Sequence, residues 1–116
     1  MKALADRGVR VTKLRPVYPS KTFPAHLSIA TGLHPTGHGI VDNYFCRDDR
    51  SDCYSMGAAR EDASWLSGTP LWTLVEQQGG RADTSVWPES DAAVAGTLPP
   101  AYRQLNGRPA PAARAG

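Results

Sequence analysis

Thr22, Asn43 and the three histidines are the side chains of this sequence whose types and spacing could do chemistry. Thr22 lies in "PSKTFPAHLSIATG", two residues before Pro24. Proline fits the first turn of a helix because its missing N–H would have no partner there anyway. A helix start at this point gives free backbone N–H groups and the positive end of the helix dipole, which together favour an anion. A threonine hydroxyl is a poor nucleophile at neutral pH and needs such help, or a base or a metal, to react. A phosphate drawn to this end would meet partial positive charge with the hydroxyl placed for attack. The alternative reading is that this threonine is only a helix cap. Asn43 closes "GLHPTGHGIVDN" and has two uses as well, donating its amide to a developing oxyanion or holding an Asx turn. His34 and His38 have i, i+4 spacing, which brings two metal ligands together only on a helix. Pro35, Gly32 and Gly37 argue against one there. His26 reads as a hydrogen-bonded structural histidine.

The elements that must position these groups are short. Residues 3–7, "ALADR", read as a helix end stopped by Gly8. In "VRVTKLRPVY", Val9 and Val11 alternate, and Leu14 and Val17 follow less cleanly, so an extended segment or strand is expected up to Pro16. A helix is expected over 24–31 with Gly32 as its stop, then a loop as far as Ile40. From Tyr44 to Gly68 the chain is polar and irregular, with Asp48, Asp49 and Asp52 marking a solvated excursion. Thr69 as N-cap and Pro70 at the next position open another helix, whose apolar stripe is Leu71, Leu74 and Val75 and which ends at Gly79-Gly80. Residues 82–87, "ADTSVW", follow as a strand. A helix leading into a strand is a step of an α/β architecture.

Composition narrows the class. With 41% hydrophobic and 21% charged residues, the 116-residue chain fits a globular domain better than a disordered one. The net charge is only +2 and its basic residues are scattered, which weighs against nucleic acid or an anionic membrane as the main partner. No apolar run nears the roughly 18 residues that span a bilayer, and "MKALADRGVR" is not a secretory signal as written. Cys46 and Cys53 have a spacing that matches no common zinc knuckle, and they read equally as a local disulfide or as two thiols.

The long stretch "YPSKTFPAHLSIATGLHPTGHGIVDN" resembles the nucleophile segment of the nucleotide pyrophosphatase/phosphodiesterase family, in the alkaline phosphatase superfamily. Members carry a Pro-(Ser/Thr)-x-Thr-Phe-Pro-Asn-His block followed by Thr-Gly-Leu-x-Pro-x-x-His-Gly-Ile-x-x-Asn. "SGTPLWTLVEQQGGRADTSVWPESD" is similar to the family's Gly-x-Pro-(Ile/Leu)-Trp helix and its Trp-Pro-Gly-Ser-(Asp/Glu) segment. The resemblance covers about residues 3–107. It implies that Thr22 attacks phosphorus in a phosphodiester or pyrophosphate bond, forming a phospho- or nucleotidyl-threonine, and that its oxygen also binds one of two divalent ions, by family zinc. Asn43 and the backbone N–H of Phe23 would donate to a phosphoryl oxygen. The Phe23 ring, Trp87 and Asp91 would line the substrate pocket, with Leu105 where nucleotide-preferring members often carry a stacking tyrosine. Ala25 and Glu89 also depart from the pattern, and Glu89 stands where the family has a glycine, in a turn needing positive φ.

The family's other metal ligands, an Asp on an earlier strand and Asp and His residues further on, have no counterpart in this sequence. The expectation is therefore an α/β piece of an alkaline-phosphatase-like three-layer sandwich with an incomplete, mostly parallel sheet. Residues 1–107 form a fragment of the catalytic domain and residues 108–116 a mobile tail. Such a chain binds no metal stably and is inactive alone, while its full-length parent hydrolyses small phosphodiester or nucleotide substrates in the periplasm or outside the cell. The alternative is a non-catalytic phosphate- or nucleotide-binding module, or a structural remnant.

Overall fold

The computed structural model describes residues 2–98 and 101–103. Helix α1 (Lys2–Arg7) stops at Gly8, as its sequence suggests. The alternation that follows does not become a strand. Among the described residues nothing pairs with this stretch, and Val9 stays 94% exposed with Val11 and Leu14 also in solvent. An alternating pattern makes a strand only where another strand completes its hydrogen bonds.

Helix α2 (Thr22–Thr31) begins two residues before Pro24, so Thr22 is its first residue and Lys21 its N-cap. Gly32 ends it in the left-handed conformation, with φ 71° and its N–H donating to the Ser28 carbonyl at 2.9 Å. The next segment, expected to be loop, contains a short helix α3 (Pro35–His38). Pro35 opens it at the one place a proline is tolerated, and the N–H groups of Gly37 and His38 both reach the His34 carbonyl. Gly39 closes it at φ 87°, where a Cβ would lie 2.8 Å from the Trp65 carbonyl, so both conformation and space demand glycine.

The polar stretch after residue 43 is more ordered than its composition suggests. Strands β1 (Tyr44–Cys46) and β2 (Cys53–Ser55) pair antiparallel, Phe45 opposite Tyr54 and Cys46 opposite Cys53, and the two cysteines form a disulfide. The hairpin tip, residues 47–52, is exposed throughout. Two 3-10 turns, Ala58–Arg60 and Ala63–Trp65, lead on to helix α4 (Leu71–Gln77). Its N-cap is Pro70 rather than Thr69, and its buried face carries Trp72 and Thr73. The expected stripe is thus rotated: Leu71 and Leu74 remain exposed, because burying the larger Trp72 removes more apolar surface from water. Strand β3 (Asp83–Ser85) is shorter than expected and pairs parallel with β4 (Ala101–Arg103).

The core is formed by Leu27, Ile40, Tyr54, Ala59, Trp65, Leu66, Ala92 and Val94, with Phe23, Phe45 and Ala58 packed against it. Leu27 and Ile40 are fully buried, each stabilising the fold by roughly 1.5–3 kcal/mol. This core joins α2, the hairpin and the segment after β3, which fixes the start of α2 in space.

Candidate active site

The start of α2 is where the expected chemistry gathers. Thr22 is exposed at the first helical residue. The next N–H, that of Phe23, donates to Asn43 Oδ1 at 3.0 Å. An N–H can only donate, so the oxygen of the Asn43 amide faces the helix and its NH₂ is left as the donor on the other side. Phe23 and Asn43, 20 apart in sequence, are thereby brought together, and Thr22 with them. The Phe23 N–H, which the resemblance assigns to a phosphoryl oxygen, is engaged by Asn43 in this structure.

Asn43 is held by its own neighbours. Asp42 Oδ1 accepts the Asn43 N–H at 2.6 Å, and both Asp42 oxygens accept from Lys21 Nζ at 2.8 Å. The Lys21 ammonium, with help from the backbone N–H groups, holds the exposed Asp42 carboxyl below its ordinary value. Lys21 and Asp42 were not singled out from the sequence, yet they clamp the residue before Thr22 to the residue before Asn43. A signal was present: opposite charges immediately preceding the two candidate groups.

Two of the three histidines, His38 and His26, are structural. His38 is fully buried, accepts the Ile40 N–H on Nδ1 at 3.2 Å and pairs through Nε2 with Ser28 Oγ at 3.1 Å. Burial, partly countered by backbone hydrogen bonds, lowers its pKa, so it ties α3 to α2 as a neutral ring. His26 Nδ1 donates to the Thr22 carbonyl at 2.7 Å, and its ring stands edge-on to Trp87 with centroids 5.1 Å apart. His26 thus brings Trp87 to the first turn of α2, a contact the sequence did not foretell. The Phe23 ring is half-buried and edge-on to Tyr54 at 6.4 Å. Asp91 is half-buried in the turn that follows Trp87, and Leu105 lies outside the described residues.

Glu89 has the positive φ expected of that turn, 59°, and is 2% exposed. Its Oε1 accepts the Tyr54 hydroxyl at 2.5 Å and the Gly57 N–H at 3.2 Å. Burial above all, and the nearby Asp91 charge, raise its pKa, while these hydrogen bonds oppose the rise. Among the described residues, no three His, Cys, Asp or Glu side chains converge as a metal site. The residues present do not fit a two-metal centre, since Thr22 is the single group assigned to it and each zinc takes about three protein ligands.

A hydroxyl at a helix N-terminus, an oriented side-chain amide beside it and aromatic rings around them form the kind of site that handles phosphate esters. The sequence profile of the "Type I phosphodiesterase / nucleotide pyrophosphatase" family matches residues 1–111, and the chain belongs to that family. It is 41% identical over 100 residues to bovine ectonucleotide pyrophosphatase/phosphodiesterase family member 3, covering 85% of this chain and 11% of the relative. It is 39% identical over 101 residues to human family member 1, covering 86% and 11%. Its fold is similar to that of murine ectonucleotide pyrophosphatase/phosphodiesterase 5, solved in complex with AMP in an inactive form with one threonine changed to alanine. The TM-score is 0.66 at 27% identity, covering 79% of this chain and 25% of that one. The chain therefore spans about a tenth of the length of these curated relatives, and its architecture is a partial α/β piece of the alkaline-phosphatase-like fold.

Proposed function

We propose that this chain carries the nucleophile segment of an extracellular or periplasmic enzyme that hydrolyses phosphodiester or pyrophosphate bonds in small, nucleotide-type substrates. The observation that carries the reading is the Asn43 Oδ1 to Phe23 N–H bond beside exposed Thr22. It sets a hydroxyl and an amide NH₂ at one helix end, so that the first attacks phosphorus while the second donates to a non-bridging oxygen. In that step the Thr22 Oγ1–P bond forms as the bond from phosphorus to the leaving oxygen breaks. The threonine proton goes to solvent or to the departing oxygen. Water then cleaves the phosphothreonine and restores the hydroxyl.

Phe23 and Trp87 serve as aromatic surface for a base or other ring on the substrate, with Asp91 beside them. Two divalent ions belong to this reading through the family, but their remaining ligands must come from beyond the described residues, and no step is derived through them. The "ecto" in the relatives' names and the Cys46–Cys53 disulfide both support an oxidising compartment. The relative that is inactive with a threonine replaced by alanine supports a threonine nucleophile.

In the full-length protein, Thr22→Ala should lower turnover of a nucleotide p-nitrophenyl ester by at least about 10⁴-fold, with Thr22→Ser retaining part of it. Asn43→Ala should cost about 2.7–4 kcal/mol of transition-state stabilisation. Near-normal turnover by Thr22→Ala would remove the proposed nucleophile, and an unchanged rate in Asn43→Ala would leave Asn43 a turn residue.

A further inference from the structure

Among the described residues, Glu89 is a buried carboxyl in an unusual setting. Its φ is 59°, a conformation that glycine adopts freely and glutamate does not. Val86, three residues earlier, also has positive φ, at 56°. The turn around Trp87 is therefore strained at two points, and something must hold it in place. The structure shows what does. Glu89 Oε1 receives the Tyr54 hydroxyl from strand β2 and the Gly57 N–H from the turn after it. The Tyr54 ring, fully buried, then packs edge-on against Phe23 and lies 5.0 Å from the ring of Phe45 and 5.8 Å from that of Trp65.

We infer that Glu89 is a positioning residue for the aromatic surface of the site, its carboxyl tying the turn that carries Trp87 to the tyrosine that supports Phe23. The inference rests on the reading of Phe23 and Trp87 as substrate-facing rings. Glu89 itself does no chemistry, because its side chain is turned into the hairpin. Two aromatic residues 64 positions apart in sequence come to share one support. Trp87 is held by Glu89's own turn and by His26, and Phe23 by Tyr54 and by the Asn43 bond to its N–H. The groups that face Glu89 are the Tyr54 phenol, which burial and the Glu89 charge keep neutral, and the Asp91 carboxylate, which disfavours a second negative charge. A ligand that inserts a ring between the two aromatic residues needs their spacing fixed beforehand, and this is what the carboxyl provides.

Three substitutions separate this role from simple support of the core. Tyr54→Phe removes only the hydroxyl, Glu89→Gly removes the carboxyl while relieving the backbone, and Glu89→Gln keeps an acceptor oxygen without the charge. The first readout needs no activity. In NMR spectra of the 116-residue chain, Tyr54→Phe and Glu89→Gly should shift both the Phe23 ring resonances and the Trp87 indole resonance. Glu89→Gln should leave both near their wild-type positions and abolish any pH dependence they share. Unmoved Phe23 and Trp87 resonances in the two deleting variants, with the rest of the spectrum folded, would overturn the inference.

The second readout uses the full-length protein. There, Tyr54→Phe and Glu89→Gly should raise KM for a p-nitrophenyl nucleotide ester about five- to tenfold, the size of one lost hydrogen bond. The same variants should change kcat by less than about twofold and leave dimethyl phosphate turnover alone. Unchanged KM for the aromatic ester would equally overturn it. Absence of any phosphodiesterase activity in the wild-type full-length protein would instead defeat the functional reading, and the resonance shifts would still decide whether Glu89 ties the two rings together.

Discussion

Two polar ties hold the start of α2 from different sides, and they are built on opposite physics. Lys21 and Asp42 meet in solvent, with half and a third of their side-chain surfaces exposed, and clamp the neighbours of Thr22 and Asn43. Tyr54 and Glu89 meet in the core and clamp the neighbours of Phe23 and Trp87. The first tie favours an ionised carboxyl because a cation lies beside it. The second disfavours ionisation because burial outweighs the hydrogen bonds it receives. The chain thus secures Thr22 and Asn43 with a weak, adaptable ion pair at the surface. It secures its aromatic surface with a buried bond that cannot exchange for water. On the function proposed above, Thr22 and Asn43 must admit a charged substrate and its solvent, whereas the Phe23 and Trp87 rings need only stay in place.

The largest test of the comparison is removal of the residue that links the buried tie to everything else. Tyr54 is fully buried against Phe23, Phe45 and Trp65, so Tyr54→Ala should destabilise the fold by about 3–5 kcal/mol, read from the urea unfolding midpoint. A loss below about 1 kcal/mol would mean that the hairpin and the core are energetically separate, and the buried tie would then carry nothing to α2.

A smaller effect should come from opening the hairpin itself. Cys46 and Cys53 are seven residues apart and face each other across β1 and β2. Closing so short a loop stabilises by about 2 kcal/mol in the chain-entropy account. Reduction with a dithiol, or the pair Cys46→Ser and Cys53→Ser, should lower stability by about that amount. Because β1 begins directly after Asn43, the same change should broaden the Asn43 side-chain amide resonances, while those of His38, held from α2 and α3, stay sharp. Equal broadening at both would show that the disulfide acts on the whole chain rather than on the hairpin.

The sequence made the chemical groups more legible than the scaffold. The helix around Pro24 forms where its neighbours imply and ends at Gly32, though it starts at Thr22 rather than at residue 24, because proline, glycine and helix ends act through local backbone geometry. The positive φ at residue 89 was legible for the same reason. What failed depends on distant partners. Residues 9–14 have the alternation of a strand, but among the described residues no strand pairs with them. The stripe of Leu71, Leu74 and Val75 has correct helical spacing, yet the face of α4 that is buried was chosen by Trp72. A three-residue strand such as β1 carries too few residues for any period to show, and its pairing was settled by a disulfide whose alternatives the spacing left open. The Glu89–Tyr54 bond joins residues 35 apart and has no local signature at all. The resemblance singles out Phe23 and Trp87, but it could not show that Tyr54 and His26 pack against them.

The smallest effects are the most diagnostic, because the two ties should respond to pH with opposite sign. For Asp42 the folded pKa is lowered below the ordinary 3.8, so the folded chain binds its proton less readily than the unfolded chain. That contribution is complete above the ordinary value and is lost as pH falls through the lowered one. For Glu89 the folded pKa is raised above the ordinary 4.5, so the folded chain holds the proton more tightly. Its contribution is complete below the ordinary value and is lost as pH rises through the raised one. Asp42→Asn should therefore flatten the acid side of the stability profile, and Glu89→Gln the rise in instability above pH 4.5. Salt separates them further. Screening reaches the exposed Lys21–Asp42 pair, so its small contribution should fade between low and high ionic strength, while the Glu89 slope should persist. If added salt flattened both slopes equally, Glu89 would be in contact with solvent, and the division of labour between a wet tie beside Thr22 and a dry one for the rings would fall with it.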